Sequence, residues 1–394
     1  MLLHSWFRGV QFLGSVMMLN PIGSVPLPSS DDVLHDAARD ASQRTCLAVL
    51  ERHIDRPLQS NPSPLNPSPS HPSQPHQSAP IRGGLSTTFE TALTAPGITL
   101  YRQESQALPG LPHPSDRQNP PLHHPRRGLP ASEAFDDRPN RLVKTTLIYE
   151  LDLSQGAGLD LAGAITIDPS ETEAHANAAY DTERDPHVPP RSLEDHWQAI
   201  VKAYPDRAFA AINGQFFGAT PVRLAFPLKA QGKIISGGYA GAGEYDGEKR
   251  MLAINGETAT IAPFPEIGQP DNPLFSEIAD VIVGLHPCAD KGRDRAVGRT
   301  FAGVADRDGD GQTETVLILA ASHATQIDAI LILQRFGAIA TVMLDGGGST
   351  QTIALGQTYL ASSDRKPRAI PHTIGLLSNA APIESEAQEP TLRD

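Results

Sequence analysis

Cysteine is nearly missing from this chain of 394 residues: only Cys46 and Cys288 are present. Two cysteines cannot build a disulfide framework, and with no CxxC pair there is no zinc module and no dithiol redox motif. No apolar run approaches the ~20 residues that span a bilayer, which excludes an integral membrane bundle. Neither a collagen triplet nor a sustained heptad is present. Positive charge is outweighed, with 32 Lys and Arg against 45 Asp and Glu and a formal net charge of −13. A general nucleic-acid binder is therefore not expected, because phosphate-backbone affinity comes from clustered basic residues. At 39% the hydrophobic fraction is also low, under the about 45–50% usual for a globular chain. With 36 prolines, part of the chain is not expected to pack.

The unpacked part is concentrated toward the N-terminus. Residues 1–30 contain Val10–Leu19 (VQFLGSVMML), an apolar run of about signal-peptide length that ends at Asn20-Pro21. It reads either as an export signal or anchor, or as sequence ahead of a cytoplasmic protein's true start. A secreted, periplasmic or envelope-associated location is slightly favoured, with a membrane or envelope tether through this end. Residues 31–56 read as one short helix, with Ser29 and Asp32 as cap and Val33, Leu34, Ala37, Ala38 and Ala41 on one face. A linker rich in Pro, Ser and His is expected over 57–87, where Pro57–Pro80 holds eight prolines in 24 residues. Residues 105–139 read as a disordered insertion and 381–394 as a disordered tail.

A folded domain is expected over 88–380. Gly97–Glu104 is a candidate strand, and Leu142–Leu153 is expected to form a hairpin with Leu159–Ile167. Ser192–Ala203 has the apolar spacing and the capping residues of a helix. Ala208–Asn213 (AFAAIN) is a strand of small residues. Phe226–Lys229 with Lys233–Ser236 and Leu252–Ile254 with Thr258–Ile261 read as hairpins, the second turning through Asn255-Gly256 in a type I′ turn. Arg299–Ala305 and Thr315–Ala321 are strands, Thr325–Phe336 a helix, and Ala338–Leu344 a strand buried on both faces. The expectation is an α+β domain: a mixed, twisted β-sheet with packed helices.

Several stretches carry candidate chemistry. At the end of the buried strand stands Asp345-Gly346-Gly347-Gly348-Ser349-Thr350. Three glycines in a row are entropically costly. They suit a backbone that must approach a ligand and present N–H groups to it; the bland alternative is a turn capped by Asp345. Asn213-Gly214-Gln215-Phe216-Phe217 follows another strand, offering a hydrogen-bonding amide and either a sugar platform or core. Arg299-Thr300 would clamp a phosphate, or Arg299 is a solvated charge; Arg368 with His372 has the same two readings. His323, between a strand and a helix, suits acid–base work or a capping role. Asp306, Asp308 and Asp310 match the first half of a calcium loop, but Leu317 stands where the bidentate glutamate belongs. An acidic turn, with a structural Ca2+ as the alternative, is the reading there, and no cofactor is required.

In order along the chain, Ala211–Phe217 (AINGQFF), Gly298–Val304 (GRTFAGV), Leu344–Thr350 (LDGGGST) and Arg368–His372 (RAIPH) resemble the motifs AINGGFF, P-R-T-A-x-G, LDGGGSS and R-x-V-P-N of the phosphodiester glycosidase family. The departures are Gln215, Gly298 and His372. The resemblance implies hydrolysis of a sugar-1-phosphodiester at the C1–O bond, in a glycan or exopolysaccharide setting, with a phosphorylated sugar as partner. For that reaction Asp345 is the candidate catalytic carboxylate and Asn213 the group that orients a sugar or phosphate oxygen, with His323, outside the four motifs, as an auxiliary acid–base group. Binding would fall to Arg299, Thr300, Gly346, Gly347, Gly348, Ser349, Thr350, Gly214, Phe216, Arg368 and His372. Glu244, Asp246 and Asp364 are candidates for a second carboxylate. The alternative from another class is a non-catalytic glycan- or phosphoglycan-binding envelope domain. Oligomeric state is not readable.

Overall fold

A computed structural model describes residues 46, 48, 88–106, 143–165, 186–219, 222–240, 244–265, 272–273, 276–364 and 366–379. These all lie in one compact unit, Cys46–Asp394. The first unit, Met1–Thr45, and most of residues 46–56, the linker, residues 107–139 of the expected insertion and the tail lie outside the described residues; Ser105 and Gln106, expected to open the insertion, are strand residues paired with Lys144 and Val143. Cys46 and Ala48, the described members of the expected N-terminal helix, are helical.

In chain order the elements are β1 (Glu90–Ala95), β2 (Ile98–Gln106), β3 (Val143–Asp152), β4 (Gly158–Asp160), helix α1 (Leu193–Ala203), β5 (Ala208–Asn213), β6 (Phe217–Ala219) and β7 (Val222–Leu224). Next come β8 (Leu228–Ala230), β9 (Lys233–Ser236), β10 (Lys249–Asn255), β11 (Thr258–Pro263), β12 (Asp280–Leu285), β13 (Val297–Ala305) and β14 (Thr315–Ala324). Helix α2 (Gln326–Arg335), β15 (Ala340–Met343), β16 (Thr352–Ala354), β17 (Gln357–Leu360) and β18 (Thr373–Leu377) complete the set. One sheet runs β1-β2-β3-β14-β13-β15-β12-β10-β11, with β8 and β9 appended at β12. A second runs β17-β16-β5-β18-β4, and β6-β7 form a small ribbon.

The strand pairings are antiparallel, which overturns the expected α+β architecture. The domain is predominantly antiparallel β-sheet with two helices among the described elements. Strand alternation explains how apolar runs arise without parallel strands. Along β14, Val316, Ile318 and Ala320 face the core shared with Phe209, Ala210 and Ile212 of β5 and Ile374 and Leu376 of β18. Leu317, Leu319 and Ala321 face the other way, onto Ala329, Ile330 and Leu333 of α2. The sheet is covered on both sides, by a sheet on one and a helix on the other, so its central strands read as continuous hydrophobic runs. On the outer side of the second sheet, Leu193, Trp197 and Ile200 of α1 pack on Ala208, Ala211, Ile353 and Leu377. The small residues of β5 let it pack closely on both faces at once. The layer order is helix, sheet, sheet, helix, with Tyr149 of β3 and Thr352 of β16 sharing a 2.7 Å hydrogen bond through the middle.

Both helices start as their sequences require. Ser192 and Thr325 cap α1 and α2 in complete capping boxes with Asp195 and Asp328. Gly337 takes a positive φ of 84° just past α2. Two local expectations fail. β3 does not pair with β4; β3 lies between β2 and β14 while β4 joins β18 in the second sheet. The β10–β11 turn is centred one residue later than expected, on Gly256-Glu257, because Asn255 already pairs with Thr258. Gly256 alone carries positive φ, 62°, the type II′ pattern and not type I′.

Cys46 and Cys288 are joined in a disulfide with a Cα–Cα distance of 5.8 Å, so two cysteines too few for a framework still form one cross-link. Both are buried in the α2-side core, and the bond closes 242 residues of chain. Cross-links over loops this long restrict the unfolded ensemble strongly, typically by about 2–4 kcal/mol. Thiol titration of the unfolded, unreduced chain is expected to find no free sulfhydryl. Cys46→Ser/Cys288→Ser should unfold at lower denaturant by about 2–4 kcal/mol. Two titratable thiols in the untreated protein would contradict the pairing.

Candidate active site

The site forms where strands from both sheets end side by side. β15 of the first sheet delivers Leu344 and Asp345, and β5 of the second delivers Asn213 and Gly214. The two ends are stitched together: Asp345 N–H donates to the Gly214 carbonyl at 3.0 Å, and Asn213 Nδ2 donates to the Asp345 carbonyl at 2.7 Å. Asn213 Oδ1 in turn accepts from Thr300 Oγ1 at 2.9 Å and from Gln351 N at 3.2 Å. With Asn213 and Thr300 buried, the Asn213 side chain is a clamp among four segments and does not face a ligand.

After Asp345 the chain makes a 3-10 turn over Gly347–Ser349. Gly347 sits at φ 63°, a region that side chains rarely tolerate. A Cβ on Gly348 would lie 2.2 Å from Asp364 Oδ1, so only glycine lets the Asp364 carboxylate approach the turn. Gly346 N–H is spent on Asp345 Oδ1 at 3.0 Å, and Ser349 N–H on the Gly346 carbonyl at 3.2 Å. Gly347 and Gly348 remain as the first-turn donors of the expected nest.

The Asp345 carboxyl stands at the head of this turn. Burial is the largest influence on it and pushes its pKa up to about 6; the Ser349 hydroxyl, the Gly346 N–H, and the charges of Arg368 and Lys291 act in the opposite direction. Arg368 donates to Asp364 Oδ2 at 2.7 Å and to Ser349 Oγ at 3.3 Å. Asp364, one of the candidate second carboxylates, is thereby paired. On the other side stand aromatic rings. Phe216 packs edge-on to Phe226, centroids 5.6 Å apart, and Tyr245 packs edge-on to the same ring at 5.8 Å. Tyr239 has its pKa raised by burial and then by the charges of Glu244, Tyr245 and Asp345, which places Glu244 and Asp345 within electrostatic reach of one phenol. Glu244 and Asp246 are both exposed.

Three expected binding groups have other tasks. Arg299 is buried, and its guanidinium donates to the carbonyls of Ala324 (3.2 Å), Lys291 (3.1 Å), Arg295 (3.0 Å) and Gly292. It braces a loop and has no open face for a phosphate. Desolvation and Arg295 hold its pKa down, to about 10. His372 is also buried. It bonds to the Leu161 carbonyl through Nε2 at 2.8 Å, and its Nδ1 accepts from Gln215 N at 3.0 Å. That contact is close enough that a Cβ on Gly214 would lie 2.4 Å from Nδ1. Thr350 is buried, with its hydroxyl 3.4 Å from that of Thr300. His323 is exposed near the end of β14, two strands from β15 in the sheet order. Gln215, which departs from the family motif, anchors the turn by donating to the Val283 carbonyl of β12 at 2.7 Å.

At the far end of β13, one carboxylate oxygen from each of Asp306, Asp308 and Glu314 lies within 4.8 Å of the others. Asp310 is not in the group; its oxygens accept from Gln312 N and Nε2. Both Asp306 oxygens are held by the N–H groups of Gly309 and Gly311. No chemistry is routed through this turn.

The sequence did not single out Lys291, Tyr239 or Tyr245. The Lys291 ammonium lies 4.4 Å from the Tyr245 ring centroid and 5.6 Å from that of Phe216. The sole hint was a run of basic residues (Lys291, Arg293, Arg295) in a turn.

No protein-family model and no curated protein matches the chain. Among solved structures it is similar to the zebrafish N-acetylglucosamine-1-phosphodiester alpha-N-acetylglucosaminidase catalytic domain auto-inhibited by its pro-peptide, at 14% identity and TM-score 0.45 over 75% of this chain and 88% of that one. It is also similar to a hypothetical protein from Synechocystis, at 13% identity and TM-score 0.38 over 74% and 64%. A Burkholderia pseudomallei protein described as exported is similar at 14% identity and TM-score 0.34 over 60% and 74%. These likenesses are distant.

Two pH effects follow. Folded Asp345 keeps its proton to about pH 6 while an unfolded aspartate loses it near pH 3.9, so ionisation penalises the fold as pH rises through that window, by up to about 3 kcal/mol. Asp345→Asn should therefore be more stable than the parent at pH 8 and no more stable at pH 4, as chemical denaturation at the two pH values would show. For His372 the sign is reversed. Burial lowers its pKa to about 4, so the unfolded chain binds the proton first and stability falls as pH drops from about 6.5 to 4. His372→Asn should flatten that acid limb; parallel limbs would mean that another group controls it.

Proposed function

We propose that this chain is a hydrolase of the sugar-1-phosphodiester C1–O bond, with Asp345 as the carboxylate at the reacting centre. One observation carries the reading. A carboxyl with its pKa lifted to about 6 stands at a glycine-rich strand end beside Lys291 and Arg368, at the head of the segment that resembles LDGGGSS. A carboxylate with a pKa near working pH is suited to accept a proton from water or to face a developing oxocarbenium. Phosphate is a good leaving group, so the demand for a general acid is small. The Gly347 and Gly348 N–H groups and the nearby cations answer the anionic half of such a substrate.

The chain's own residues divide the work. Asn213, Thr300 and Gln351 hold the Asp345 main chain, while Ser349 and Gly346 fix the carboxyl orientation. Phe216, Tyr239 and Tyr245 supply the faces on which a sugar ring can stack. Glu244 is the carboxylate best placed for a second role, through its reach to Tyr239. The Cys46–Cys288 cross-link favours an oxidising compartment, consistent with a glycan or envelope substrate outside the cytoplasm. No helix among the described residues is long and apolar enough to cross a membrane.

The test uses the full chain, since Cys46 belongs to the folded unit. Incubated with diesters of GlcNAc-1-phosphate, it should release reducing sugar and phosphomonoester, with a rate that climbs as pH passes about 6. Asp345→Asn should lower kcat by at least about a hundredfold while still binding. Sugar-phosphate binding in both proteins with release in neither would replace the hydrolase with the glycan-binding domain.

A further inference from the structure

Lys291 stands out because so much of the fold is committed to its position. It lies in the loop from His286 to Arg295, which is restrained from four directions. Cys288 is tied by the disulfide, and its carbonyl accepts from Arg293 Nη2 at 3.0 Å. Gln326, the first residue of α2, holds the Pro287 and Ala289 carbonyls at 2.7 and 2.8 Å. At Lys291 itself both peptide groups are fixed: its N–H donates to Gln326 Oε1 at 3.3 Å, and its carbonyl accepts from Arg299 at 3.1 Å. The guanidinium expected to clamp a ligand is spent on holding this lysine.

The side chain is held as firmly. Its ammonium lies over the Tyr245 and Phe216 rings and donates to Tyr245 Oη. Tyr245 has φ 58°, a conformation that costs a bulky residue energy and that persists at sites where it serves a purpose. Among the described residues, no carboxylate lies within ion-pair distance of Lys291. A lysine has three donors and one is used. A half-buried, pre-ordered cation with two donors to spare and no counterion within pairing distance is a binding site for an anion.

We infer that Lys291, seated on Tyr245 and Phe216, is the anion-recognition residue of the site and selects ligands that carry a phosphoryl group on a ring. The inference rests on the proposed reaction for the ring's identity, but the anion site itself does not require turnover. Arg368 is the weaker candidate for this role, since Asp364 already pairs with it. The rings that flank the ammonium provide the stacking face for the ligand's own ring, so charge and ring are read from adjoining surfaces.

The experiment is calorimetric titration of the full chain, with Lys291→Met and Lys291→Arg, using GlcNAc-1-phosphate, GlcNAc and inorganic phosphate. Lys291→Met is expected to weaken GlcNAc-1-phosphate by at least about tenfold, the size of one charge-assisted hydrogen bond, and to leave GlcNAc unchanged. Added salt should weaken GlcNAc-1-phosphate binding in the parent and much less in Lys291→Met. Lys291→Arg keeps the charge and should retain the salt dependence, which separates loss of charge from loss of fold. Equal affinity of parent and Lys291→Met for GlcNAc-1-phosphate, or equal losses for GlcNAc and its phosphate, would overturn the inference. The two proposals fail separately. Lys291-dependent phosphate binding without diester cleavage removes the hydrolase and keeps the anion site. Cleavage with unchanged KM in Lys291→Met removes the anion site and keeps the hydrolase.

Discussion

The Asn213 carboxamide is the point on which the site depends. It is buried at the end of a strand of the smaller sheet, and its two polar atoms reach Asp345 of one chain segment, Thr300 of a second and Gln351 of a third. Buried amides must be satisfied, so this group fixes where the ends of β5, β13, β15 and β16 meet. The Asp345 N–H closes the same junction on Gly214. The carboxyl that emerges is oriented by main chain that has no freedom to turn. A neutral clamp also adds no net charge beside the carboxyl, and burial is the largest influence on its proton.

Much of this was legible in the sequence, and what was not has definite causes. Helix α1, helix α2 and most strands follow from cap residues and alternation, which are local. The layer architecture is not local. A run such as that ending in Leu344 says that both faces are covered, and it is silent on whether a helix or a second sheet covers each. The pairing of β3 failed for the same reason: its neighbour in sequence, β4, lies in the other sheet, and the partners it takes are β2 and β14.

The site was legible in position and only partly in role. Asp345 and its glycines were visible because a costly sequence at a strand end needs a reason. Asn213, Arg299 and His372 were visible as chemistry, yet each is turned inward to hold main chain. Residue type alone cannot tell a group that touches a ligand from one that positions its neighbour, since both are polar, both sit at strand ends, and both are costly to lose. Lys291 was hidden for the converse reason. It lies in an irregular loop with no periodicity, and its surroundings come from Phe216, Tyr245, Arg299 and Gln326, four residues spread over more than a hundred positions of the chain.

Charge distribution completes the logic. A chain of net charge −13 repels an anionic ligand at long range, so any attraction must be local and only weakly screened. Lys291, Arg293, Arg295 and Arg299 lie within nine residues of one another, and the two most buried of them, Arg293 and Arg299, donate to backbone carbonyls. Such carbonyls are a partial counterweight for a buried guanidinium: they satisfy its donors while cancelling little of its charge. Asp290 and Asp294 stand in the same stretch, so the four cations outnumber its carboxylates two to one. Buried cations are costly, and here backbone carbonyls offset that cost while the Lys291 charge acts on Asp345.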